Sequence, residues 1–175
     1  MSQEIEELRA SLKALEVRLR VVEDVQAIHN LKARYGQLAD ARYQKGRPVE
    51  AAELGRLANE LGELFSEDAV WDGGKGLGLC RGRDEIVARF REPTLHFSWH
   101  YFVKPEIYVE GDHARATWDV LAPCTTRDDV AHWMAGAEDD EYVRVDGCWL
   151  HSRMSLRLAF LAPHATGWVR SAGGS

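Results

Sequence analysis

Apolar residues in the first part of the chain recur at alternating steps of three and four. Charged residues, mainly Glu and Arg, fill most of the positions between them. This is the heptad pattern of a helix with apolar a and d positions. It predicts a helix over residues 1–22 that either packs on the body of its own domain or contacts a second subunit. The apolar positions are Ile5, Leu8, Leu12, Leu15, Leu19 and Val22.

The apolar stripe then shifts, which predicts a second helical face from about Glu23 to Asp40. Pro48 is tolerated at the start of a helix but not inside one, so a further helix is expected from about Val49 to Phe65. A short strand over 69–72, a flexible glycine-rich turn over 73–78 and a short helix over 82–91 follow. The glycine-rich turn lacks the paired strand, the helix and the Lys-Ser/Thr sequence of a phosphate loop.

From Ser98 onward the pattern changes to the alternation that is typical of strands. The predicted strands cover 99–109, 114–122, 130–136, 142–145 and 149–160, and the last two flank Asp146-Gly147, a strong hairpin signal. Helices followed by an antiparallel meander predict an α+β fold, with the helices packed into one curved sheet. We therefore divide the chain into a heptad helix (1–22), a main domain (23–162) and a tail (163–175).

Composition and charge narrow the functional classes. The 175 residues suit one domain, and 45% hydrophobic with 29% charged residues is typical of a globular protein. The net charge is −6 and the sequence has no cluster of basic residues, so a nucleic-acid partner is not expected. No apolar run reaches the roughly 18 residues of a membrane span, and no apolar leader is present. Three widely spaced cysteines indicate reduced thiols and a cytoplasmic location.

The histidines do not show the spacing of a metal site. His96 and His100 are four residues apart, but no acidic residue lies between them as it does in zinc-binding helices. We predict neither a metal nor another cofactor.

Several strings, taken with the order of the elements, resemble the SnoaL-like branch of the nuclear transport factor 2-like superfamily over about residues 22–160. The resemblance implies a cone-shaped α+β barrel. The superfamily includes scytalone dehydratase, bile-acid 7α-dehydratase, hexachlorocyclohexane dehydrochlorinase, ketosteroid isomerase, polyketide cyclases and non-catalytic transport proteins, so the fold alone does not decide the chemistry. The strings are Tyr35-x4-Asp40, Leu64-Phe65-Ser66-Glu67-Asp68-Ala69-Val70-Trp71-Asp72, Arg81-Gly82-Arg83-Asp84-Glu85-Ile86, His100-Tyr101-Phe102 and Glu141-Tyr142-Val143-Arg144-Val145-Asp146-Gly147-Cys148-Trp149.

The resemblance also implies a catalytic set. Dehydratase and dehydrochlorinase members carry an Asp at the end of the long first helix and a His on the first long strand, and Asp40 and His100 stand at the matching points. Tyr35 and Arg144 match further pocket residues. A histidine held by a buried carboxylate has a fixed tautomer and raised basicity, which suits proton abstraction near neutral pH. A negative charge at a helix C-terminus is unfavourable, so Asp40 requires a compensating partner.

Other interpretations of these residues stay open. Tyr35 lies on the apolar stripe and is equally a core tyrosine, because five residues turn a helix by about 140° and separate it from the face of Asp40. Arg144, and Arg153 as a second choice, would bind an oxyanion if they face inward, or be solvated if they do not. Residues expected to contact the substrate are Phe102, Trp118, Asp119, Trp133, Tyr142 and Arg153.

These observations predict a cofactor-independent lyase that acts on a hydrophobic aromatic or polycyclic molecule. His100, oriented by Asp40, would remove a proton, and Tyr35 and Arg144 would stabilise the oxyanion or assist the leaving group. Dehydration is expected first, with halide or aldehyde loss as variants. The alternatives are an isomerase or cyclase with Asp119 as its base, and a non-catalytic ligand-binding module. We expect a homo-oligomer, either a dimer or a trimer.

Overall fold

The computed structural model describes residues 2–168, and residues 169–175 of the predicted tail lie outside this range. A single helix, α1 (Ser2–Ala41), covers both predicted helical stretches without a break at Glu23. At about 1.5 Å per residue this helix is about 60 Å long. The remaining helices are α2 (Ala51–Gly62), the single turn α3 (Gly74–Leu77) and α4 (Arg83–Arg91).

The sheet curls around the second half of α1. A small ribbon of β1 (Tyr43–Gln44) and β2 (Arg47–Pro48) follows the helix. Within the described residues the main sheet has the order β4-β3-β9-β8-β7, and both β5 and β6 pair with β7. Its strands are β3 (Phe65–Asp72), β4 (Leu79–Arg81), β5 (Phe97–Ser98), β6 (Tyr101–Glu110), β7 (His113–Thr125), β8 (Ala131–Val145) and β9 (Cys148–Pro163).

The predicted α+β class and its curved sheet are confirmed, but the sheet is mixed rather than antiparallel throughout. Strand β3 pairs with β9 in parallel, because β9 returns from the β8 hairpin in the direction of β3. The predicted Asp146-Gly147 hairpin is present, and both turn residues have positive φ angles of 50° and 82°. This is the backbone conformation that favours Asn-Gly and Asp-Gly turns.

Some element boundaries differ from those expected. Phe65 begins β3 instead of ending a helix, and the glycine-rich 73–78 region contains one helical turn. The two short strands predicted within 130–145 are one long strand, β8. A bulge bends β8 against β9 next to Gly136, where an added Cβ would lie 2.5 Å from the Arg157 carbonyl oxygen. Only glycine fits this close approach of two backbones.

Two apolar clusters fill the space between the helices and the sheet. One joins α1 to α2, α4 and β3, and the other packs α1 against β7, β8 and β9. Residues 3–22 join neither cluster, because the six heptad side chains are 45% to 64% exposed. No helix within residues 2–168 combines the length and apolar character needed to cross a membrane.

Candidate active site

Asp40 and His100 meet where the end of α1 reaches the link between β5 and β6. The Oδ1 atom of Asp40 lies 2.6 Å from Nδ1 of His100. Both side chains are largely buried, with 10% and 13% of their surfaces exposed. His100 lies just before β6 rather than on the strand, which begins at Tyr101. Asp40 is a negative charge at the end of α1, where the helix dipole is unfavourable to it. The imidazole and the backbone N–H of His100 are the groups that compensate this charge.

The contacts of Asp40 determine how His100 presents its other nitrogen. The two carboxylate oxygens accept the backbone N–H of His100 at 3.1 Å each, and Oδ1 also accepts a hydrogen bond from Nδ1–H. Nε2 then carries the lone pair of the ring, and Ser98 Oγ lies 3.4 Å from it. Phe102 stacks on the imidazole with ring centroids 5.7 Å apart and planes 10° apart. This arrangement fixes the ring and leaves Nε2 able to accept a proton.

His100 lines, together with Asp40 and Phe102, an open groove of about 500 Å³. The more enclosed pocket that His100 also lines is small and mostly apolar. Its cavity volume of about 60 Å³ is sufficient for roughly four water molecules. Trp71, Phe90, Leu95 and Met134 supply the apolar surface, and the polar side chains come from His100, Tyr35, Ser98, Arg42 and Arg89.

Tyr35 lines the same pocket although the helix turn separates it from Asp40. The two residues need not share a helix face, because Asp40 acts on the pocket only through His100. Trp71 Nε1 donates a hydrogen bond to the Tyr35 hydroxyl oxygen at 3.4 Å, and the hydroxyl proton has no acceptor among residues 2–168. Burial raises the pKa of Tyr35 well above its usual value, so the phenol stays protonated. Its hydroxyl is therefore a neutral hydrogen-bond donor at the pocket wall.

Arg144 is not in this pocket. Its guanidinium forms a two-point contact with Asp24, at 2.8 and 2.7 Å, and a further contact with Asp112 at 3.0 Å. Asp24 lies 16 residues before Asp40 on α1, which is about 24 Å along the helix. The expectation that Arg144 acts beside His100 is therefore wrong. Arg144 instead faces inward from β8, and its contact with Asp24 attaches α1 to the end of the sheet that is far from His100.

Three other expected contact residues also lie away from the pocket. Asp119 is paired with Lys104 on the outer face of the sheet, which removes it as an isomerase base. Arg153 is exposed on the outer face, because a bulge between β8 and β9 reverses the inside-outside alternation just before it. Trp133 lies near the start of β8, where its Nε1 donates to Nδ1 of His164.

Phe102, Trp118 and Tyr142 do face the interior of the cone. Phe102 contacts the dyad directly, whereas the other two lie deeper and contact each other. Trp118 Nε1 donates to the Tyr142 hydroxyl at 3.0 Å, and that hydroxyl donates to Asp140 at 2.9 Å. Both belong to the apolar cluster between α1 and the long strands. They therefore support the wall behind Phe102 and do not line the pocket.

A buried charged cluster that the sequence analysis missed lies behind this wall. Lys32 Nζ lies 2.7 Å from Asp140 Oδ2 and also donates to Glu138, and it is 4.2 Å from the centre of the Phe102 ring. Burial opposes the charge of Lys32, but attraction to the two carboxylates outweighs it and raises the pKa of the ammonium. The signal in the sequence was a lysine on the apolar face of α1, opposite two inward-facing acids of β8.

His151 is a further buried polar residue in the interior. It is fully buried between the rings of Tyr35, Phe65 and Tyr142, and neither ring nitrogen has a hydrogen-bond partner among residues 2–168. Burial and the nearby charge of Lys32 lower the pKa of His151 well below its usual value. It is therefore a neutral imidazole. Within the described part of the chain, no group of three His, Cys, Asp or Glu side chains is arranged to hold a metal ion.

Comparison with known proteins assigns the chain to a family. The sequence profile of the SnoaL-like domain matches residues 20–155, which is most of the chain. No curated protein sequence shows significant similarity to it.

Several solved structures share the fold. A type 2 hexachlorocyclohexane dehydrochlorinase superposes with a TM-score of 0.69 at 21% identity, over 89% of this chain and 98% of its own. A scytalone dehydratase candidate from Novosphingobium aromaticivorans gives 0.66 at 20% identity, over 88% and 96%. An NTF2-like protein with a cystatin-like fold from the same organism gives 0.65 at 28% identity, over 83% and 88%. Likeness at about 20% identity establishes the fold and not the reaction.

Proposed function

The chain belongs to the SnoaL-like domain family, and from that premise we propose that it is a cofactor-independent lyase. The substrate is a small, largely apolar molecule that loses a proton and a leaving group. The observation that carries this proposal is the Asp40–His100 pair, whose 2.6 Å contact leaves Nε2 free beside a pocket. A binding module without chemistry does not require a histidine held in one tautomer by a carboxylate.

The proposed reaction begins with proton abstraction. Nε2 of His100 takes a proton from a carbon atom of the substrate, and Asp40 stabilises the imidazolium that forms. The electrons of the broken C–H bond form the new double bond as the leaving group departs. In a dehydration the imidazolium then returns its proton to the departing hydroxide, so the net products are an alkene and water. Loss of a halide or of a small aldehyde uses the same base.

Tyr35 is the proposed partner of the oxygen that gains charge. Because its phenol is protonated and its proton has no protein acceptor, it donates a hydrogen bond to a carbonyl or leaving-group oxygen of the substrate. In this proposal Tyr35 alone stabilises the oxyanion or assists the leaving group, a role that the resemblance implied for Tyr35 and Arg144 together. Arg144 takes no part in the proposed reaction.

The apolar wall and the small cavity define the kind of substrate. Trp71, Phe90 and Met134 favour an aromatic or alicyclic ring. A cavity of about 60 Å³ is too small for a polycyclic molecule. A ring of six atoms therefore requires the irregular segment of residues 93–95, which forms one wall, to move outward. We propose a one-ring substrate rather than a polycyclic one.

Product analysis tests the proposal. The full chain is incubated with aromatic β-hydroxy ketones and 1,3-diols, and products are followed by ultraviolet absorption and mass spectrometry. Loss of water is expected, and turnover should fall at least about 100-fold in His100→Ala and Asp40→Asn. The exposed His113→Ala is the matched control and should keep full turnover. Full turnover in the two dyad variants would exclude the dyad, and a product of unchanged mass would indicate an isomerase.

A further inference from the structure

Two arginines line the pocket around His100 without a carboxylate partner of their own. Arg42 is only 7% exposed, and its guanidinium donates to the carbonyl oxygens of Ala39 and Phe90 at 3.1 and 3.3 Å. Arg89 donates to the Leu77 carbonyl at 2.7 Å and to a threonine hydroxyl at 3.3 Å. All of these acceptors are neutral, and neither guanidinium forms an ion pair within residues 2–168.

The nearby carboxylate does not compensate both charges. Asp40 is occupied by three contacts from His100, so the surroundings of the pocket hold two fixed cations and one committed anion. Burying the Arg42 cation against neutral groups alone is unfavourable, and an anion bound between it and the half-buried Arg89 relieves this cost. Guanidinium groups bind carboxylates with two parallel hydrogen bonds. Phe90, whose ring lies 4.7 Å from the Arg42 guanidinium, helps to hold it in place.

We propose that the pocket takes an organic acid, with its carboxylate on Arg42 and Arg89 and its apolar body against Trp71 and Phe90. Calling this ligand the substrate rests on the proposed lyase function, but acid recognition itself does not. The carboxylate would hold the ligand at one end of the pocket while the carbon to be deprotonated faces His100.

Calorimetric titration with matched acids and amides tests acid recognition without turnover. The pairs are benzoate and benzamide, phenylacetate and phenylacetamide, and trans-cinnamate and cinnamamide. At least one acid is expected to bind at least tenfold more tightly than its amide. This preference should approach unity in Arg42→Gln and in Arg89→Gln, each checked for native circular dichroism, and persist in Arg91→Gln, which replaces an exposed arginine of α4.

The outcomes separate the two proposals. If no acid binds more tightly than its amide, or if the preference survives both arginine variants, the acid site is wrong. His100→Ala should keep the acid preference, because the histidine does not bind the carboxylate. A protein that prefers acids but catalyses no elimination would overturn the lyase and leave the acid site standing.

An independent feature, the heptad face of α1, points to a partner. We call residues 5–22 the arm, and it is about 27 Å long. Its six apolar a and d side chains are exposed, and the first buried residue of the helix is Asp24. Because α1 is continuous, the direction of the arm relative to the body is fixed by the helix itself.

The apolar stripe of the arm faces away from the body. At about 100° per residue, its positions lie roughly 120° to 180° around the helix from Ile28, which is fully buried against the sheet. A second helix placed along the stripe therefore meets no part of the same chain's body. Two copies joined through this stripe would carry their bodies on opposite outer sides.

The charged residues at the e and g positions beside the stripe favour pairing with a second copy of the chain. They also favour one relative direction of the two helices. In a parallel pair, each g residue faces the e residue of the partner's next heptad. This places Glu4 opposite Arg9 of the partner subunit, and Arg18 opposite Glu23 of the partner subunit. An antiparallel pair in full overlap also brings opposite charges together, Glu4 with Arg18 of the partner subunit and Arg9 with Glu23 of the partner subunit, but it places Glu16 against Glu16 of the partner subunit. The parallel arrangement is favoured because it has the opposite-charge pairs without this like-charge pair.

We infer that the arm forms a parallel two-stranded coiled coil with the arm of a second copy. Sedimentation equilibrium of the full chain should give twice the 19.7 kDa mass at micromolar concentrations, with dissociation on dilution. Leu15→Glu, at a d position, should give a monomer. Val17→Glu, on the outer face of the same helix, is the matched control and should leave the dimer intact.

Cross-linking tests the direction of the two helices. In a background without the exposed Cys148, Leu8→Cys should form an intermolecular disulfide on mild oxidation, because equivalent d positions meet in a parallel pair. An antiparallel pair places Leu8 opposite Leu19 and prevents this bond. A monomer at all concentrations, a trimer, a dimer that survives Leu15→Glu, or a dimer without the Leu8→Cys cross-link would each overturn the inference.

Discussion

Lys32 Nζ lies 2.7 Å from Asp140 Oδ2 in the interior of the cone, and both side chains are almost completely buried. Glu138 contacts the same ammonium, so one lysine neutralises much of the charge of two buried acids. Phe102 lies between this cluster and His100, with its ring close to both. The charged cluster therefore supports the wall on which the candidate base is stacked.

Replacing Lys32 by Met should destabilise the fold by about 3–5 kcal/mol, because two buried carboxylates lose their counter-charge. Urea unfolding at pH 7 measures the change. Lys13→Met, at an exposed position of α1, is the control and should alter the free energy of unfolding by less than about 0.5 kcal/mol. An equally small effect at Lys32 would show that the cluster contributes no net stability.

The neutral, buried His151 should make the protein less stable as the pH falls below about 6.5. The pKa of His151 is lowered in the folded state, so in this range the unfolded chain binds a proton that the folded chain does not. Stability is then lost at up to about 1.4 kcal/mol per pH unit, from the unfolded pKa down to the much lower folded one. Unfolding free energies at pH 7.5, 6.5 and 5.5 measure this slope.

The comparison variant for this slope is His151→Leu, which cannot bind the proton. Its unfolding free energy should lack the contribution of His151, while all other titrating groups contribute equally to both proteins. His113→Leu, at an exposed position, should keep the wild-type slope. Parallel slopes for wild type and His151→Leu would contradict the assignment of a neutral buried histidine.

Tyr35→Phe should lower kcat by about 10- to 100-fold and change KM little, because only the hydroxyl that stabilises developing charge is removed. Steady-state kinetics on the substrate identified in the product screen measure both constants. Tyr108→Phe, on the exposed part of β6, should leave both unchanged. A change confined to the melting temperature would assign the Tyr35 hydroxyl a structural role.

Arg144→Gln should reduce stability without impairing the chemical step. The variant loses the two-point contact with the buried Asp24, at a cost of about 1–3 kcal/mol. The kcat of the folded variant should stay within about twofold of wild type. If the variant is fully folded but its kcat is about 100-fold lower, Arg144 does take part in the reaction.

The pH dependence of the Asp24–Arg144 contact offers a second measurement on the same pair. The hydrogen bond from Arg144 outweighs the opposing effect of burial and lowers the pKa of Asp24. Its stabilising effect is therefore complete above the unfolded pKa of about 3.9 and is lost as the pH falls through the lower folded value. The stability difference between wild type and Arg144→Gln should accordingly be constant from pH 5 to 7 and decrease below pH 4.

Local patterns in the sequence determined much of this protein. The apolar stripe from Val25 to Leu38 predicts the helix that lies in the cone, and Asp146-Gly147 predicts the hairpin between the two longest strands. These features depend on neighbouring residues alone, through helix periodicity and the positive φ angles of a tight turn. The strings shared with the family indicated that Asp40 and His100 would meet, across a separation of 60 residues.

Only the tertiary structure decided which charged side chains face the pocket. Trp149, His151 and Arg153 alternate on one face of an ideal strand, yet a bulge at Ser152 leaves the first two buried and turns Arg153 outward. A bulge depends on the pairing of two strands, so a single strand's pattern does not reveal it. The buried carboxylates that pair with Arg144 and Lys32, on Asp24 and Asp140, likewise come from more than 100 positions away. Their roles follow from the curl of the sheet around α1, which no local spacing encodes.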